Sequence, residues 1–306
     1  MADGLFFIKK KCYIFYKGFI MTLIQSILLG ILQGIAEFLP ISSSGHLAVV
    51  QNLFGLEDVP LLYDVFLHLA TLLAVCIYFR KSIWKLLKVF GRLIARRPAP
   101  AEVDENDILC GTEMRGRKTI LALIISTAIT GAIGIFTSKL IPELSIKFTC
   151  AGFLLTACLL FISSVVEKKS LAKTESVPKS ENKGISVLQA AVIGFMQGVG
   201  TLPGISRSGS TIAGAQLCGV ERGAAGEYSF LVSIFAILGA FVLELKDLGE
   251  VSSSIGADIV LAGCISAFIF GYFSLACLMK IIKKGKLEWF AAYLIPVGIL
   301  GLIFLK

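Results

Sequence analysis

Long apolar runs separated by short polar segments dominate the chain from residue 22 to its end. An α-helix that crosses a bilayer needs about 20 consecutive, mainly apolar residues. Six runs meet this requirement and are predicted to be membrane spans. They occupy residues 61–79, 119–138, 147–166, 226–246, 256–279 and 288–305. The pattern therefore predicts an all-α polytopic membrane protein.

Two further apolar segments, residues 22–55 and 186–225, are interrupted midway by Pro and a Ser/Gly-rich stretch. The sequence Gly30–His46 is echoed by the sequence Gly194–Ser210, and matching residues lie 164 positions apart. A polar break inside an apolar run is typical of the discontinuous helices that build polar sites near the middle of a bilayer. Each segment is therefore predicted to be a re-entrant helical hairpin.

Basic residues are concentrated in three connections, residues 80–118, 167–183 and 280–286, and the connections between them are poor in Lys and Arg. The positive-inside rule places the three basic connections in the cytoplasm. Each half of the chain is then a hairpin followed by three spans. Because three is odd, the two halves have opposite orientations, which is an inverted-topology repeat. In the alternative topology, residues 22–38 and 186–202 are full spans.

The predicted organisation has a first repeat over residues 21–166, a basic cytoplasmic linker over 167–185 and a second repeat over 186–306. Residues 1–20 are interpreted as an N-terminal extension outside the native protein. The reason is that a clean apolar run begins at Met21, and no small-residue cleavage site follows the basic stretch before it.

Composition supports the membrane assignment. The chain has 306 residues, of which 56% are hydrophobic and 16% charged, whereas soluble domains carry about 25% charge. The net charge of +8 comes from the basic connections and does not indicate nucleic-acid binding. Six of the eight Cys residues lie in or beside apolar runs without CxxC spacing, so they are interpreted as small apolar packing residues.

The first polar break combines a carboxylate with a compact turn. Gln33 and Glu37 lie four residues apart and therefore share one helical face. Pro40 ends that helix, because it lacks an N–H donor and restricts the residue before it. The Ser42-Ser43-Ser44-Gly45 stretch then offers hydroxyls and backbone N–H groups. A helix that restarts after Gly45 would attract anions to its N-terminus, close to His46.

The second break, Ser206–Thr211, repeats this turn and adds the guanidinium of Arg207, which suits bidentate phosphate contacts. Together the two breaks predict an anion site with one carboxylate, one imidazole, one guanidinium and many hydroxyls. A charged group at mid-membrane costs at least ~2.5 kcal/mol on insertion scales, so such groups persist there mainly for function. In the alternative interpretation, Glu37 and Arg207 form a structural ion pair and His46 is a structural histidine.

Two further polar pairs lie near the spans. Asp64 and His68 are four residues apart and are equally compatible with a supporting role at the site and with an ordinary polar pair. Arg222 and Glu227 are interpreted as an ion pair at the membrane interface.

The sequences Gln33–His46 and Pro203–Thr211 closely resemble the two signature motifs of the undecaprenyl-pyrophosphate phosphatase family associated with bacitracin resistance. The stretches Asp64–Thr71 and Glu227–Phe230 are also similar to that family, and the resemblance covers residues 21–306. It implies an integral hydrolase of the bacterial cytoplasmic (inner) membrane that converts undecaprenyl pyrophosphate into undecaprenyl phosphate, the lipid carrier of cell-wall synthesis. It also implies dependence on Mg²⁺ or Ca²⁺ and a site that faces the outer side.

Carried over by position, the resemblance assigns catalysis to Glu37, Ser43, His46 and Arg207. Glu37 is also the predicted protein ligand of the divalent cation. Ser43 is the preferred nucleophile and His46 its base or acid. The alternatives are His46 as the nucleophile, or direct attack by water. Some family members have Glu where this chain has Gln33, which puts a two-carboxylate cation site in doubt. The predicted substrate-binding residues are Gln33, Ser42, Ser44, Gly45, Ser206, Ser208, Gly209 and Thr211.

The predicted partners are a polyprenyl pyrophosphate lipid and the bilayer, without nucleic acid, and a homodimer is left open. A second class of function uses the same architecture, since inverted repeats with meeting hairpins also build transporters. The chain is then a flippase or transporter of polyprenyl phosphate or of another anion. The carboxylate, imidazole and guanidinium favour an enzyme, because a carrier needs no nucleophile or base.

Overall fold

The computed structural model describes residues 21–56, 59, 61–99, 104, 106–140, 145–173, 184–245 and 255–305. Within these residues the chain forms eleven α-helices and no β-strand, so the predicted all-α class is confirmed. The predicted extension over residues 1–20, and residues 174–183 of the predicted linker, lie outside the described part. The helices are α1 (Leu23–Phe38), α2 (Ser43–Leu53), α3 (Leu61–Tyr78), α4 (Arg80–Ile94), α5 (Glu113–Leu140), α6 (Ile146–Lys173), α7 (Val187–Val199), α8 (Arg207–Leu217), α9 (Arg222–Glu244), α10 (Ala257–Lys283) and α11 (Glu288–Phe304).

Four of the described helices, α5, α6, α9 and α10, are long and apolar enough to cross a membrane. Helices α3 and α4 meet the same test together, as one broken span with a bend of 78°. Helices α1, α7 and α11 are shorter apolar helices. The predicted spans at 61–79 and 288–305 therefore correspond to helices of 18 and 17 residues.

The two interrupted segments begin with the same local structure. Thr22 caps α1 and Ser186 caps α7, each in a capping box whose partner is a Gln three residues later. Each helix is followed by a short connection and a second helix that packs against it, α2 after α1 and α8 after α7. In this arrangement two N–H groups at each helix start are satisfied locally.

Glycines allow the first helix of each segment to approach a long helix closely. A Cβ atom at Gly30 would clash with the carbonyl oxygen of Gly263 on α10. A Cβ atom at Gly194 would lie 2.7 Å from the Cα of Ser126 on α5. Small residues at such crossings let backbones meet, so these two contacts fix α1 on α10 and α7 on α5.

Buried serine hydroxyls bridge both of these crossings. Ser26 on α1 donates to the carbonyl oxygen of Ile259 at 2.6 Å and lies 2.8 Å from the hydroxyl of Tyr63. Ser126 on α5 donates to the carbonyl oxygen of Ala190 at 2.7 Å and lies 2.9 Å from the hydroxyl of Tyr228. Each buried hydroxyl therefore has partners, as buried polar groups require.

Helix α4 lies within the connection that was predicted from its charge, residues 80–118. Its buried side chains are Leu86 and Val89. Another face exposes large apolar side chains, and the remaining face is basic. The exposed apolar residues are Trp84, Leu87, Phe90, Leu93 and Ile94, and the basic residues include Lys81, Lys85, Lys88 and Arg92. Such an amphipathic helix suits the plane of a membrane interface. Helix α5 begins at Glu113, six residues before the predicted span.

Candidate active site

The N-termini of α2 and α8 meet at a cavity of about 200 Å³. One wall is formed by the first turn of α2 and the other by the first turn of α8. Helices α3 and α9 complete it with mainly apolar side chains. The lining residues are Glu37, Ser42, Ser43, Ser44, Val65, His68, Gly200, Thr201, Ile205, Ser206, Arg207, Ser208, Ala236, Ile237 and Ala240. The structure thus brings both sequence breaks to one place.

The two helix starts have matching caps. The hydroxyl of Ser42 accepts from the N–H of Gly45, and the hydroxyl of Ser206 accepts from the N–H of Gly209. Helix α2 begins at Ser43, so the prediction that the helix restarts after Gly45 was wrong by three residues. N–H groups in the first turn have no acceptor within a helix, and they carry the positive end of its dipole. Both helices therefore point anion-attracting ends at the cavity.

Glu37 is the centre of the polar network. Its Oε1 accepts from Nη2 of Arg207. Its Oε2 accepts from the hydroxyl of Ser43 at 2.5 Å and from Nε2 of Gln33 at 3.0 Å. Nδ1 of His68 lies 3.1 Å from the same oxygen. One buried carboxylate therefore joins α1, α2, α3 and α8.

His46 lies outside this network. Its Nδ1 is 2.9 Å from the carbonyl oxygen of Ser42, and its Nε2 is 2.9 Å from the hydroxyl of Tyr293 on α11. The ring packs against Phe153, and His46 does not line the cavity. The structure therefore brings Glu37 and Arg207 together but directs this imidazole toward α6 and α11.

The other predicted binding residues divide into two groups. Ser44, Ser206 and Ser208 line the cavity with Ser42. Gly45 has a packing role, since a Cβ atom there would clash with the ring of Phe153. Gly209 is also tightly packed, because a Cβ atom there would lie 3.1 Å from the Cβ of Pro40.

Thr211 and Gln33 lie behind the cavity rather than in its wall. The hydroxyl of Thr211 donates to the carbonyl oxygen of Arg207 at 2.8 Å and contacts the hydroxyl of Ser229. Gln33 is fully buried beneath Glu37. These two residues support the side chains that face the cavity.

The pair Asp64 and His68 separates in the structure. His68 lines the cavity beside Glu37, whereas Asp64 accepts a hydrogen bond from Gln51 on α2 at 2.8 Å. The sequence left the role of His68 open, and no signal marked it over Asp64. The apolar wall from Ala236 to Ala240 was missed, because alanine and isoleucine in a membrane helix carry no distinguishing pattern.

The predicted ion pair of Arg222 with Glu227 was wrong. Nε of Arg222 donates to the carboxylate of Glu167 on α6 at 2.5 Å. The guanidinium also fills the space beside Gly285, where it leaves no room for a Cβ atom. This ion pair therefore ties α9 to α6 and to the turn after α10.

A second, smaller cavity of about 10 Å³ lies behind the Glu37–Arg207 pair. Phe38 and Phe230 contribute aromatic walls, and their rings pack edge to face at 5.6 Å. A volume of this size is about that of a single water. The hydroxyl-bearing residues that line it are Thr71, Ser208, Thr211, Ser229 and Ser233.

The residues of the site do not form a protein-only metal cage. Among the described residues, no group of three or more His, Cys, Asp or Glu side chains is placed to hold a metal ion. Both oxygens of Glu37 already accept hydrogen bonds from the protein. Mg²⁺ and Ca²⁺ prefer several oxygen ligands, so a cation at this site would have to take most of them from phosphate and water.

Comparison of the sequence with known proteins identifies a family and several relatives. The chain matches the family model of the bacitracin resistance protein BacA over residues 26–300. It is 44% identical over 279 residues to an undecaprenyl-diphosphatase of Treponema denticola, which covers 91% of this chain and 96% of the relative. It is 38% identical to proteins of the same name from Methanosphaera stadtmanae and Alkaliphilus metalliredigens. Those matches cover 92% and 93% of this chain, and 98% and 99% of the relatives.

Proposed function

Since the chain belongs to the family of the bacitracin resistance protein BacA, we propose that it hydrolyses undecaprenyl diphosphate to undecaprenyl phosphate and inorganic phosphate. The observation that carries this proposal is the contact of one carboxylate, Glu37, with both the Ser43 hydroxyl and the Arg207 guanidinium. Hydrolysis recycles the lipid carrier of cell-wall synthesis, and it gives bacitracin resistance.

The diphosphate binds where the two helix N-termini meet. Phosphoryl transfer depends mainly on positioning and on neutralising charge on the phosphate oxygens. The N–H groups at the starts of α2 and α8 supply partial positive charge, and Arg207 supplies a full one. Ser44, Ser206 and Ser208 add hydroxyl donors around the same cavity.

Ser43 is the proposed nucleophile, and Glu37 is the proton acceptor that the geometry favours. The Ser43 oxygen attacks the terminal phosphorus while its proton passes to Oε2 of Glu37, 2.5 Å away. A bond forms between this oxygen and phosphorus as the bond from phosphorus to the bridging oxygen breaks, and undecaprenyl phosphate leaves. Water then hydrolyses the phosphoserine, which releases inorganic phosphate and restores the hydroxyl.

His46 supports the proposed mechanism by stabilising the turn that precedes Ser43. Its ring contacts the carbonyl oxygen of Ser42, directly before the nucleophile. That turn is strained, since Ser42 has a φ of 70°, a conformation that non-glycine residues rarely adopt. His46 therefore stabilises the conformation that presents Ser43 to the cavity.

A divalent cation, Mg²⁺ or Ca²⁺, is proposed to accompany the substrate, with Glu37 as its protein carboxylate. When bound, it would neutralise part of the diphosphate charge. The limited set of protein ligands at the site favours a cation that arrives with the lipid headgroup.

The inverted-topology repeat is proposed from two pairs of matching contacts. Helix α1 packs on α10 as α7 packs on α5, and the crossings share the close glycine contact and the Ser–Tyr bridge. The matching helices α1 and α7 also share the capping box. Halves related in this way place their hairpin tips together near mid-membrane.

The cavity is proposed to open to the outer side of the cytoplasmic membrane. Val65 and His68 lie in the first half of α3, away from the basic helix α4, which follows the opposite end. Ala236 and Ala240 lie in the second half of α9. If the basic α4 lies at the cytoplasmic interface, the cavity faces away from it. The apolar wall of α3 and α9 then receives the first isoprene units.

The experiment that tests the proposed function is phosphate release by the purified protein in detergent. Detergent leaves no compartment to transport across, so inorganic phosphate formed from undecaprenyl diphosphate indicates hydrolysis. The matched control is the same protein with undecaprenyl phosphate, which we expect to release none. A flippase or transporter would release no phosphate from either lipid.

A further inference from the structure

We infer that His68 is a further substrate-binding residue, whose Nε2–H donates a hydrogen bond to an oxygen of the diphosphate. This inference rests on the proposed function and deepens it, because it assigns a contact that neither sequence break supplies. It also gives the amide of Gln33 a defined purpose.

The position of His68 in the cavity is the first observation. Its side chain is 23% exposed, and it lines the same cavity as Ser43 and Arg207. It comes from α3, on the wall between the two helix N-termini. An imidazole in this position faces the space that the diphosphate would fill, whereas His46 is hydrogen-bonded outside the cavity.

The orientation of the ring is the second observation. Nδ1 lies 2.8 Å from Nε2 of Gln33 and 3.1 Å from Oε2 of Glu37, so it faces the buried network. Nε2 is on the opposite edge of the ring, and it has no hydrogen-bond partner among the residues that the structure describes. Nε2 of His68 therefore lies on the ring edge that faces the cavity.

Gln33 determines which nitrogen carries the proton. The amide nitrogen of Gln33 can only donate, and its contact with the Glu37 carboxylate at 3.0 Å confirms that the nitrogen, not the oxygen, points this way. Its contact with Nδ1 is shorter still, so Nδ1 accepts and the ring proton resides on Nε2. A ring protonated at Nδ1 could donate to Oε2 of Glu37 at 3.1 Å, but it would also set two donors, Nδ1–H and the Gln33 amide, 2.8 Å apart. With Nδ1 unprotonated, the two N–H groups of Gln33 serve both acceptors.

The Nε2–H group of His68 is therefore a hydrogen-bond donor with a fixed orientation that faces the site of the diphosphate. A hydrogen bond from the ring to a phosphate oxygen is charge-assisted and stronger than a bond between neutral groups. A glutamate at position 33 would accept from Nδ1 rather than donate to it. The amide at this position therefore keeps the Nε2 proton in place without a second buried carboxylate next to Glu37.

Substitution at position 68 tests the contact. The probe is a methylene-diphosphonate analogue of farnesyl diphosphate, whose bridging carbon resists hydrolysis, and the measurement is its Kd for purified protein in detergent. We expect His68→Phe, which keeps a ring but no donor, to raise the Kd at least tenfold. His68→Gln, which restores an N–H donor, should recover much of that loss, which a purely structural role of the ring would not predict. Asp64→Asn, one helical turn away and outside the cavity, should bind as the parent protein does.

Nitrogen NMR of the unsubstituted protein provides a measurement that does not depend on a variant folding. The chain has two histidines, so ¹⁵N-histidine labelling gives two ring systems to distinguish, and loss of one set in His68→Phe or in His46→Asn assigns them. We expect the Nε2–H form for His68 and a shift of its Nε2 signal when the diphosphonate is added.

A wild-type Kd for His68→Phe, or a His68 ring protonated only at Nδ1, overturns the inference while the proposed function stands. If the parent protein neither binds the diphosphonate nor releases phosphate, the proposed function fails and the inference fails with it.

Discussion

The guanidinium of Arg207 donates to Glu37 across 170 positions of the chain, and it joins the tips of the two helical hairpins. Breaking a buried ion pair by removing one partner costs about 3–5 kcal/mol, because it leaves an uncompensated charge. The pair therefore has two roles: it holds the hairpins together, and it sets a positive group beside the start of α2.

Replacement of Ser43 separates a covalent mechanism from direct attack by water. Ser43→Ala removes the proposed nucleophile, so we expect kcat to fall by at least about 10³-fold. Ser44→Ala is the matched comparison, because it removes a substrate-facing hydroxyl that does not contact Glu37, so we expect only the smaller loss caused by removing one binding hydroxyl, within about tenfold in kcat. Substantial phosphate release by Ser43→Ala would assign the attack to water. A phosphorylated Ser43 trapped by rapid quench and mapped by mass spectrometry would support the covalent route.

Two substitutions of His46 separate a positioning role from a nucleophilic one. If the ring acts through the carbonyl of Ser42, then His46→Asn, whose amide can still donate to that oxygen, should retain more activity than His46→Ala. We expect the difference in kcat to be about tenfold. Equal and complete inactivity of two folded variants would favour His46 itself as the nucleophile.

The glycine contact between α1 and α10 predicts an effect on stability. Gly30→Ala introduces a Cβ atom that clashes with a backbone oxygen of α10, and overpacking of this kind typically costs about 1–3 kcal/mol. Gly131→Ala, with nothing within 4 Å of the new Cβ, is the control and should be neutral or slightly stabilising. Thermal unfolding in detergent measures both, and an unchanged midpoint for Gly30→Ala would contradict the close crossing.

We expect the divalent cation to bind together with the diphosphate substrate rather than to the protein alone. Because Glu37 is the only carboxylate among the described residues that line the cavity, we expect calorimetry to detect no tight Mg²⁺ or Ca²⁺ binding to the protein alone. Chelation should nevertheless lower phosphate release, and added cation should restore it. Tight binding to the protein without lipid would contradict this account.

Local sequence was enough to predict most of the helices and the meeting of the two sequence breaks. Pro40 and the capping residues act on their immediate neighbours, and the 164-residue offset is visible as a repeat in the sequence. Both kinds of signal could therefore be recognised without coordinates. The contact partners of individual side chains could not be predicted from the sequence. His46 contacts Tyr293, 247 positions away, and the local sequence around His46 gives no sign of this partner.

Contacts between residues that are far apart in the chain explain the other differences between the sequence-based predictions and the structure. Arg222 bonds to Glu167, 55 residues earlier, rather than to the nearer Glu227. His68 and Asp64 share a helix face in the sequence pattern, yet only His68 reaches Glu37, because α2 supplies Gln51 as a partner for Asp64. Charge alone marked residues 80–118 as a connection, whereas the spacing of apolar residues within it forms the amphipathic helix α4.

The central claim, that both hairpin tips hold one diphosphate through Arg207, is tested most directly by the binding of the farnesyl methylene-diphosphonate. Loss of a charge-assisted hydrogen bond costs about 1.5–3 kcal/mol, so Arg207→Ala should raise the Kd by at least about tenfold, and kcat should fall by about 10²-fold or more. Arg117→Ala is the control, since Arg117 pairs with Glu113 far from the cavity, and Arg92 also holds that carboxylate. Gel filtration confirms that each variant is folded. An unchanged Kd for folded Arg207→Ala would contradict the account.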